Sequence, residues 1–598
     1  MIGLIINLES FKICVYDKKT KEPISDAQVW TSLTFTFTDN NGCAYVKMKE
    51  NDSLIVYRIG YKIVILKEKN VDKIYLENEG ISLKTINVIS KSIKIKEIKD
   101  IKNDVENSIS GSILNKPIVS GFSRDKYNIL VDGAFLNDQS DYLDHPIVID
   151  YDLVDKMFIA SSKNNAIFGL NSISGGIDLK LFEIQERNFI NTSIQYNSEN
   201  DRLSIIFKNN KNYDKFSYKF GFKGSISNDF KNPRIENTSD SSIWTIASFK
   251  FKNFSFGNYL SYINYGIPRV DSSRAKNLFI NPRISYKNLI FDFQNSIQRE
   301  YDDNNLETEL NLKTFQTIYN SDNFYLNLAY NNFSSFGEEG EEEVNYSRFL
   351  LSFIYSNKIK NILNYSFSII PNYSDFNKKL KVGLTFLFSK DLKNFSFLFS
   401  QSIRYPSLQQ LTFTGIHESA NRYEIANENL KDEISFNFSL DYKHSFNFIT
   451  FSINPSFDYV KNFILLKDLD TIISDLPAYT WENHDVYFVN LNSEISFIIS
   501  KNFILNSSFI YSKPSTDILF YTKPQIKTTL SFNNLSLINR LVFNEKIFSI
   551  FSISLNYSFK FIKIYFSIEN VFNENFIEPT NPFKTPIPYR NYSIKISI

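Results

Sequence analysis

Phe551-Ser552-Ile553-Ser554-Leu555-Asn556-Tyr557-Ser558-Phe559 alternates an apolar side chain with a small polar one along its whole length. In an extended chain successive side chains point to opposite faces, so this segment is greasy on one face and Ser/Asn on the other. Phe216, Tyr218, Phe220 and Phe222 alternate in the same way with Ser217, Lys219, Gly221 and Lys223, and such segments recur from about residue 187 to the C-terminus. A water-soluble sandwich also alternates, but it has no need of so long a series. In hydrocarbon an open sheet edge leaves backbone groups with neither partner nor water, so a sheet there must close on itself. The pattern predicts an all-β dominated chain whose main body is a large antiparallel transmembrane β-barrel, apolar outside and polar within. Such barrels belong to the outer membrane of a Gram-negative cell.

Composition narrows the reading. Phe (57) and Tyr (35) bring aromatics to 16% of the 598 residues, more than one soluble core requires and what barrel girdles use. No stretch of about 18 consecutive apolar residues occurs, which excludes a helical membrane protein. Net charge is +1, with 66 basic and 65 acidic residues, so no footprint for nucleic acid exists. Cys14 and Cys43 are the two cysteines. A disulfide suits an oxidising compartment and two free thiols suit any other, and spacing does not choose between them. An export signal needs a basic start and a longer apolar run. Residues 1–8 are apolar without a preceding Lys or Arg, and Glu9 interrupts them, so a signal is expected upstream, removed or degenerate.

Four stretches divide the chain. Residues 1–80 hold short β-prone segments at sandwich spacing, with Asn41-Gly42 suited to a hairpin turn. The order of Asp17, Pro23, Ala27, Val29, Thr38-Asp39, Gly42 and Gly60-Tyr61 resembles a carboxypeptidase-regulatory-like domain, which implies a small β-sandwich appendage without peptidase chemistry. Residues 81–104 read as a linker. Within it Thr85-Ile86-Asn87-Val88-Ile89-Ser90, ahead of a Lys-rich run, resembles the TonB box of energised outer-membrane receptors. Such a box acts by adding a strand to a partner's sheet edge, so its sequence demands are weak, and an ordinary linker strand fits the same residues.

Residues 105–186 carry the most specific resemblance. Val119-Ser120-Gly121-Phe122-Ser123, Tyr127-Asn128-Ile129-Leu130-Val131-Asp132-Gly133 and Leu136-Asn137-Asp138 follow one another. Asp144-His145-Pro146, Ala166-Ile167-Phe168-Gly169 and Asn171-Ser172-Ile173-Ser174-Gly175-Gly176-Ile177 come next. Their order resembles the plug domain of TonB-dependent receptors, and the resemblance implies an internal α+β plug. Gly121, Gly133, Gly169, Gly175 and Gly176, with Asp132, are its expected motif positions, the glycines allowing close backbone approach and positive φ. Ser120 stands where the family has Arg, and Ser161-Ser162-Lys163 where it has Arg-Gly-Pro. These departures imply a plug seated more loosely, or opened more readily, than usual.

Residues 187–598 continue the resemblance. Ser402-Ile403-Arg404-Tyr405-Pro406, Asn427-Glu428-Asn429-Leu430-Lys431-Asp432-Glu433, Glu569-Asn570-Val571-Phe572-Asn573 and Pro588-Tyr589-Arg590-Asn591-Tyr592 are similar to segments of the family's barrels. The family architecture implies about 22 strands, each with its loop taking roughly 19 residues. Ile598 ends the chain where the family usually has Phe.

No catalytic constellation is present: no phosphate cradle, no C-x-x-C and no H-E-x-x-H. The chain is read as a non-enzyme without a cofactor. Of the four histidines, His145 follows Asp144, and His417 adjoins Glu418 with Arg422 and Glu424 close by. His and carboxylate suit first-row metals, so these six residues are candidate ligand-capture positions, and pinning of loops is the competing role. His444 and His484 read as structural, and the acidic run at 338–343 as a solvated loop tip. Three classes of function fit to different degrees. The first is an energised importer of a metal chelate, haem-like or vitamin-sized ligand, partnered by a TonB-type energy-transducing protein. The second is a passive pore or scaffold with a degenerate plug, and the third is an outer-membrane hydrolase, for which no triad exists.

Overall fold

The computed structural model describes residues 11–77, the strand Lys94–Glu97 and residues 126–598, apart from short breaks. The longer undescribed stretches are 1–10, 78–93, 98–125, 137–146, 162–171 and 578–589.

Near the N-terminus two sheets face each other. One orders Cys43–Val46, Phe11–Asp17 and Lys73–Leu76; the other orders Phe35–Phe37, Gln28–Trp30, Leu54–Tyr57 and Val64–Leu66. Ile13, Val15 and Val46 from the first sheet meet Val29, Leu54 and Val56 from the second in one core, all fully buried. The Asn41-Gly42 turn does not make the expected hairpin. Its flanking strands lie in different sheets, so the turn carries the chain across the sandwich. Asp39 shapes it by accepting hydrogen bonds from the Asn41 and Cys43 amides at 2.9 Å each. Gly42 sits at φ 75°, and a Cβ there would meet the Val15 carbonyl at 2.6 Å. Cys14 and Cys43, opposed in register on neighbouring strands, are joined as a disulfide.

Residues 94–180 contribute a mixed five-stranded sheet, ordered Ala134–Phe135, Asn128–Val131, Gly175–Lys180, Lys156–Ser161, Lys94–Glu97. Its last strand comes from the stretch read as linker, which therefore reaches into the plug sheet. The helical part expected of an α+β plug does not fall within the described plug residues.

The remainder closes into a barrel running from Phe189–Asn197 to Asn591–Ser597, which pair with each other from Ser193↔Ser597 to Asn197↔Ser593. Phe395–Arg404 pairs directly with Glu433–Phe446, so the short Gly415–His417 and Arg422–Ile425 strands between them lie above the wall. Without those two, the described barrel has 22 strands, all antiparallel. One end is trimmed with tight turns, such as Lys252-Asn253, Lys287-Asn288 and Asn533-Asn534, whose first residues sit at φ 52°, 51° and 50°. The other end bears the long connections 228–239, 405–432 and 570–590, and the hairpin Ile449–Ile473 with Leu476–Ser500. Short turns at one end and long loops at the other are the usual sidedness of outer-membrane barrels.

Alternation on the strands follows the expectation. Along Asp240–Phe251 and Arg274–Tyr286 every second side chain is buried against the lumen. Phe220, Phe249 and Phe256 stand exposed outside. At the tight-turn end aromatics meet across strands, Phe254 with Tyr286 at 4.6 Å, Phe324 with Tyr355 at 4.9 Å and Phe395 with Tyr442 at 4.5 Å between centroids. So continuous an apolar exterior, rimmed by aromatics, is at rest only in lipid.

The Cys14–Cys43 bridge closes a loop with a sequence separation of 29. Chain entropy for such a loop corresponds to about 3.6 kcal/mol. Calorimetry of the full chain with and without reductant is expected to move a low-temperature transition downward while leaving the barrel transition in place.

Candidate functional site

The lumen is where the chain brings unlike elements together, and the plug sheet is gripped there from several sides. Asp132 (φ 47°) and Gly133 (φ 86°) form the two-residue turn between Asn128–Val131 and Ala134–Phe135. Two successive positive φ values are what the mirror-image hairpin turn needs, and Asp-Gly supplies them cheaply. The turn points into the wall. Arg283 donates to the Val131 and Asp132 carbonyls at 2.7 Å each, and the Tyr325 hydroxyl donates to the Gly133 carbonyl at 2.9 Å. Beside it Gln294 and Gln316 donate to the Phe135 carbonyl at 2.9 and 2.7 Å. The Asp132 carboxylate faces back into the plug and accepts from the Leu181 and Phe182 amides at 3.0 and 2.7 Å.

Gly175 (φ 118°) and Gly176 open the central plug strand, opposite Ser161 and Ala160. Farther along that strand Asp178 accepts from the Gly133 amide at 3.2 Å and from Lys180 at 2.7 Å. Burial pulls the Lys180 ammonium down, but Asp178, Asp132 and Glu183 together outweigh it and hold the group above its ordinary value. Lys180 thus stays charged at any physiological pH.

The wall provides close approach as well. A Cβ on Gly221 would meet Leu153 of the plug at 3.2 Å and Ile246 at 2.7 Å, and one on Gly257 would meet the Phe182 ring at 2.6 Å. The sequence reading had not singled out these two barrel glycines.

Ion pairs complete the seating. Lys126 of the plug reaches Glu433 of the barrel at 3.0 Å and the Ile464 carbonyl at 2.8 Å, and lies 4.5 Å from the Phe463 ring centroid. Glu433 is fully buried and also binds Arg404 at 2.5 Å and the Ile464 amide at 2.7 Å. On another side Lys223 holds Asp150 and Asp152 at 2.6 and 2.9 Å, Lys595 holds Asp152 at 3.2 Å, and Lys219 pairs with Asp155. The Tyr259 hydroxyl donates to the Val148 carbonyl and accepts from the Asp150 amide, both at 3.0 Å.

The other sequence candidates fare unevenly. Arg422 and Glu424 come together on one short strand as a buried pair at 2.6 Å, with Glu424 in parallel register with Tyr479 of the long hairpin. His417 is opposite Arg422 in backbone register. Asp144, His145, Glu418, Gly121, Gly169 and the whole of Thr85-Ile86-Asn87-Val88-Ile89-Ser90 lie outside the described residues. His444 bonds Asn394 at 2.9 Å, and His484 bonds Glu482 at 3.1 Å. Among the described residues no three His, Cys, Asp or Glu side chains converge as a metal-binding group.

Sequence reasoning missed Lys126, Arg283, Asp152, Asp155 and the lysines that face them; Asp150 was seen as part of the plug resemblance, without its role. Lys219 and Lys223 were legible as polar-face residues of an alternating strand, but nothing in the alternation says which polar residue meets the plug. Glu433 was quoted as part of a motif, without its role.

A closed 22-stranded barrel holding a domain of its own chain in the lumen defines the class of fold: the plugged barrel of outer-membrane receptors. Solved structures share it. The siderophore receptor PirA from Pseudomonas aeruginosa matches at a TM-score of 0.66 and 13% identity, over 85% of this chain and 99% of that one. The copper transporter OprC matches at 0.65 and 11%, over 85% and 100%. The FrpB iron transporter from Neisseria meningitidis matches at 0.65 and 11%, over 85% and 99%. No protein-family model matches the sequence, and no curated protein matches it.

Glu433 pairs with both Lys126 and Arg404 in a buried setting, so Glu433→Gln removes the carboxylate charge that the two cations share. Breaking such a set costs about 3–5 kcal/mol. Arg283→Ala strips two plug carbonyls of their donor and costs about 2 kcal/mol. Either variant, reconstituted in planar bilayers, is expected to show ion leakage above wild type and faster proteolysis within the plug.

Proposed function

We propose that the chain is an outer-membrane receptor of the TonB-dependent type, importing a scarce small ligand by energised movement of its plug. The observation that carries the reading is the occupied lumen. A barrel of this girth is wide enough for a solute, and here the space is taken by a domain lashed to the wall through more than a dozen polar contacts. Passage then requires work on the plug. The edge strand Lys94–Glu97, antiparallel to Lys156–Ile159, stands just after the candidate TonB box. A pull on residues 85–90 would load that edge first and peel its backbone hydrogen bonds one after another.

In this reading residues 1–80 are a carboxypeptidase-regulatory-like appendage, 81–104 the linker, 105–186 the plug and 187–598 the barrel. Lipid of the outer membrane surrounds the apolar exterior, a TonB-type protein pairs with the linker, and no nucleic acid or catalytic step is involved. The ligand is a metal chelate, haem-like or vitamin-sized molecule met at the long-loop end, and Asp144, His145, His417, Glu418, Arg422 and Glu424 are its candidate contacts. The receptors for siderophores, copper and iron that share the fold support a metal complex as cargo.

A passive pore with a degenerate plug is the second reading. It is favoured by the strands Phe503–Pro514 through Ile562–Glu569, whose side chains are mostly only half-buried on both faces.

Val88→Pro separates the two. Proline removes a backbone donor and cannot continue a ladder. Uptake of ferric or copper chelates by cells carrying this variant is expected to fall to background, with surface binding unchanged. Undiminished uptake favours the pore.

A further inference from the structure

The barrel's exposed aromatics face lipid, but one aromatic face of this chain lies outside the barrel. In the N-terminal sheet ordered Cys43–Val46, Phe11–Asp17, Lys73–Leu76, the side chains of Ile13, Val15, Ala44, Val46, Ile74 and Leu76 turn into the sandwich core. The alternate positions turn outward. Across that outer face Tyr45 opposes Lys12, Cys43 opposes Cys14, Cys14 opposes Lys73, and Tyr16 opposes Tyr75. Tyr45 is 66% exposed and Tyr75 42%. The Tyr16 and Tyr75 ring centroids are 5.9 Å apart, and the Lys21 ammonium stands 4.5 Å from the Tyr75 centroid. Lys12, Lys21 and Lys73 are exposed, as is Lys47, which follows Tyr45 on the same alternation. Glu77, at the far end of the face, pairs with Lys18 at 3.3 Å. The face as a whole is therefore aromatic and basic.

Lipid does not cover it. The sheet ends on Cys43–Val46 and Lys73–Leu76 without closing, and hydrocarbon tolerates no open edge. Nor has it the extent of a standard protein–protein interface. Its longest strand has seven residues. Three such strands side by side cover about 14 by 23 Å, roughly 300 Å2 in plan, where each partner in a stable complex gives about 800 Å2. A linear polymer of charged rings suits so narrow a strip. One face of a sugar ring is a layer of C–H groups, apolar and faintly positive, which lies well on the electron-rich face of an aromatic ring. A carboxylate on the neighbouring sugar meets an ammonium through a charge-assisted bond. The step from Lys12 to Tyr16, about 13 Å along the strand, separates Tyr45 from the Tyr16–Tyr75 pair and leaves room for linked sugars between them. The Cys14–Cys43 disulfide occupies the row between and ties the two strands together there.

We propose that the outer face of this sheet docks a carboxylate-bearing glycan strand, with the tyrosines under sugar rings and the lysines at the carboxylates. Reading the linker as the partner of a TonB-type protein puts residues 1–80 on the inner side of the outer membrane, where such a polymer is the glycan of the cell wall. The source of the glycan rests on that reading; the chemistry of docking does not. Docking of this kind tethers the chain to a fixed scaffold through its sandwich, apart from the barrel and its cargo.

Fluorescence anisotropy with purified full-length protein in detergent tests the chemistry, using three labelled probes: oligogalacturonate, oligoglutamate of equal charge and a cello-oligosaccharide of equal length. Oligogalacturonate, which has both rings and carboxylates, is expected to bind about tenfold more tightly than either of the others. Tyr45→Ser/Tyr75→Ser and Lys12→Gln/Lys73→Gln are each expected to weaken it about tenfold and, since the side chains are exposed, to leave the calorimetric transitions in place. Oligoglutamate bound as tightly as the uronate makes this a surface for acidic peptides and overturns the proposal. So does wild-type affinity in both double variants, because the uronate then sits elsewhere on the chain. Should one double variant lose its sandwich transition, the other decides. Co-sedimentation with isolated cell-wall sacculi tests the source: wild type is expected in the pellet and the tyrosine variant in the supernatant, and wild type left in the supernatant removes the wall as partner. None of these assays involves uptake, so their failure strikes the docking face, whereas failure of the Val88→Pro test strikes the importer.

Discussion

A backbone amide facing hydrocarbon has nothing to bond but another backbone, and each one left over costs several kcal/mol. That constraint makes the pairing of Phe189–Asn197 with Asn591–Ser597 the contact on which everything else depends. It joins the first wall strand to the last, and until it forms every other strand belongs to a sheet with two exposed edges. Closure fixes the alternation, since one face must be apolar for lipid while the other encloses a polar space. A polar space of this width must be filled, by water or by protein. Here much of the filling is the chain's own plug.

The polar contacts that fill it set position more than they add strength. A buried ion pair returns little net free energy, because both charges give up their water to form it. Lys126, Glu433 and Arg404, or Lys223 with Asp150 and Asp152, therefore specify where the plug sits more than they add to its stability. An apolar interface of equal area would hold as well and give way only all at once. Apolar contact is present too, with Tyr259 and Phe279 of the wall meeting Leu153 and Val154 of the plug, so the seat combines a greasy side with ionic ones.

The barrel was open to reading from sequence because its signal is periodic and repeated; Phe216 to Lys223 alone reveals two faces. The Asp132-Gly133 turn was open for a different reason, as few residues tolerate two positive φ values in succession. Asn41-Gly42 shows the limit of that logic. The dipeptide marks a turn, but which sheets the turn joins is decided by the distant pairing of Phe11–Asp17 with Cys43–Val46. The plug's partners were hidden for the same reason: Lys126 and Glu433 are separated by 307 positions, and no local pattern encodes so remote a meeting. Arg422 and Glu424, adjacent on one face of a strand, could be paired by eye, yet their burial could not be read from their spacing.

The grip of Arg283 and Tyr325 on the plug is directed at three carbonyl oxygens, those of Val131, Asp132 and Gly133. A carbonyl is the same whichever amino acid carries it. Val131 can therefore be exchanged for another β-former by genetic drift without loosening this attachment, whereas Arg283 and Tyr325 cannot be exchanged so freely. Lineages built on such a fastening can diverge until their plugs share little spelling and still dock alike. That is one physical route by which a chain only 11–13% identical to solved structures can share their architecture.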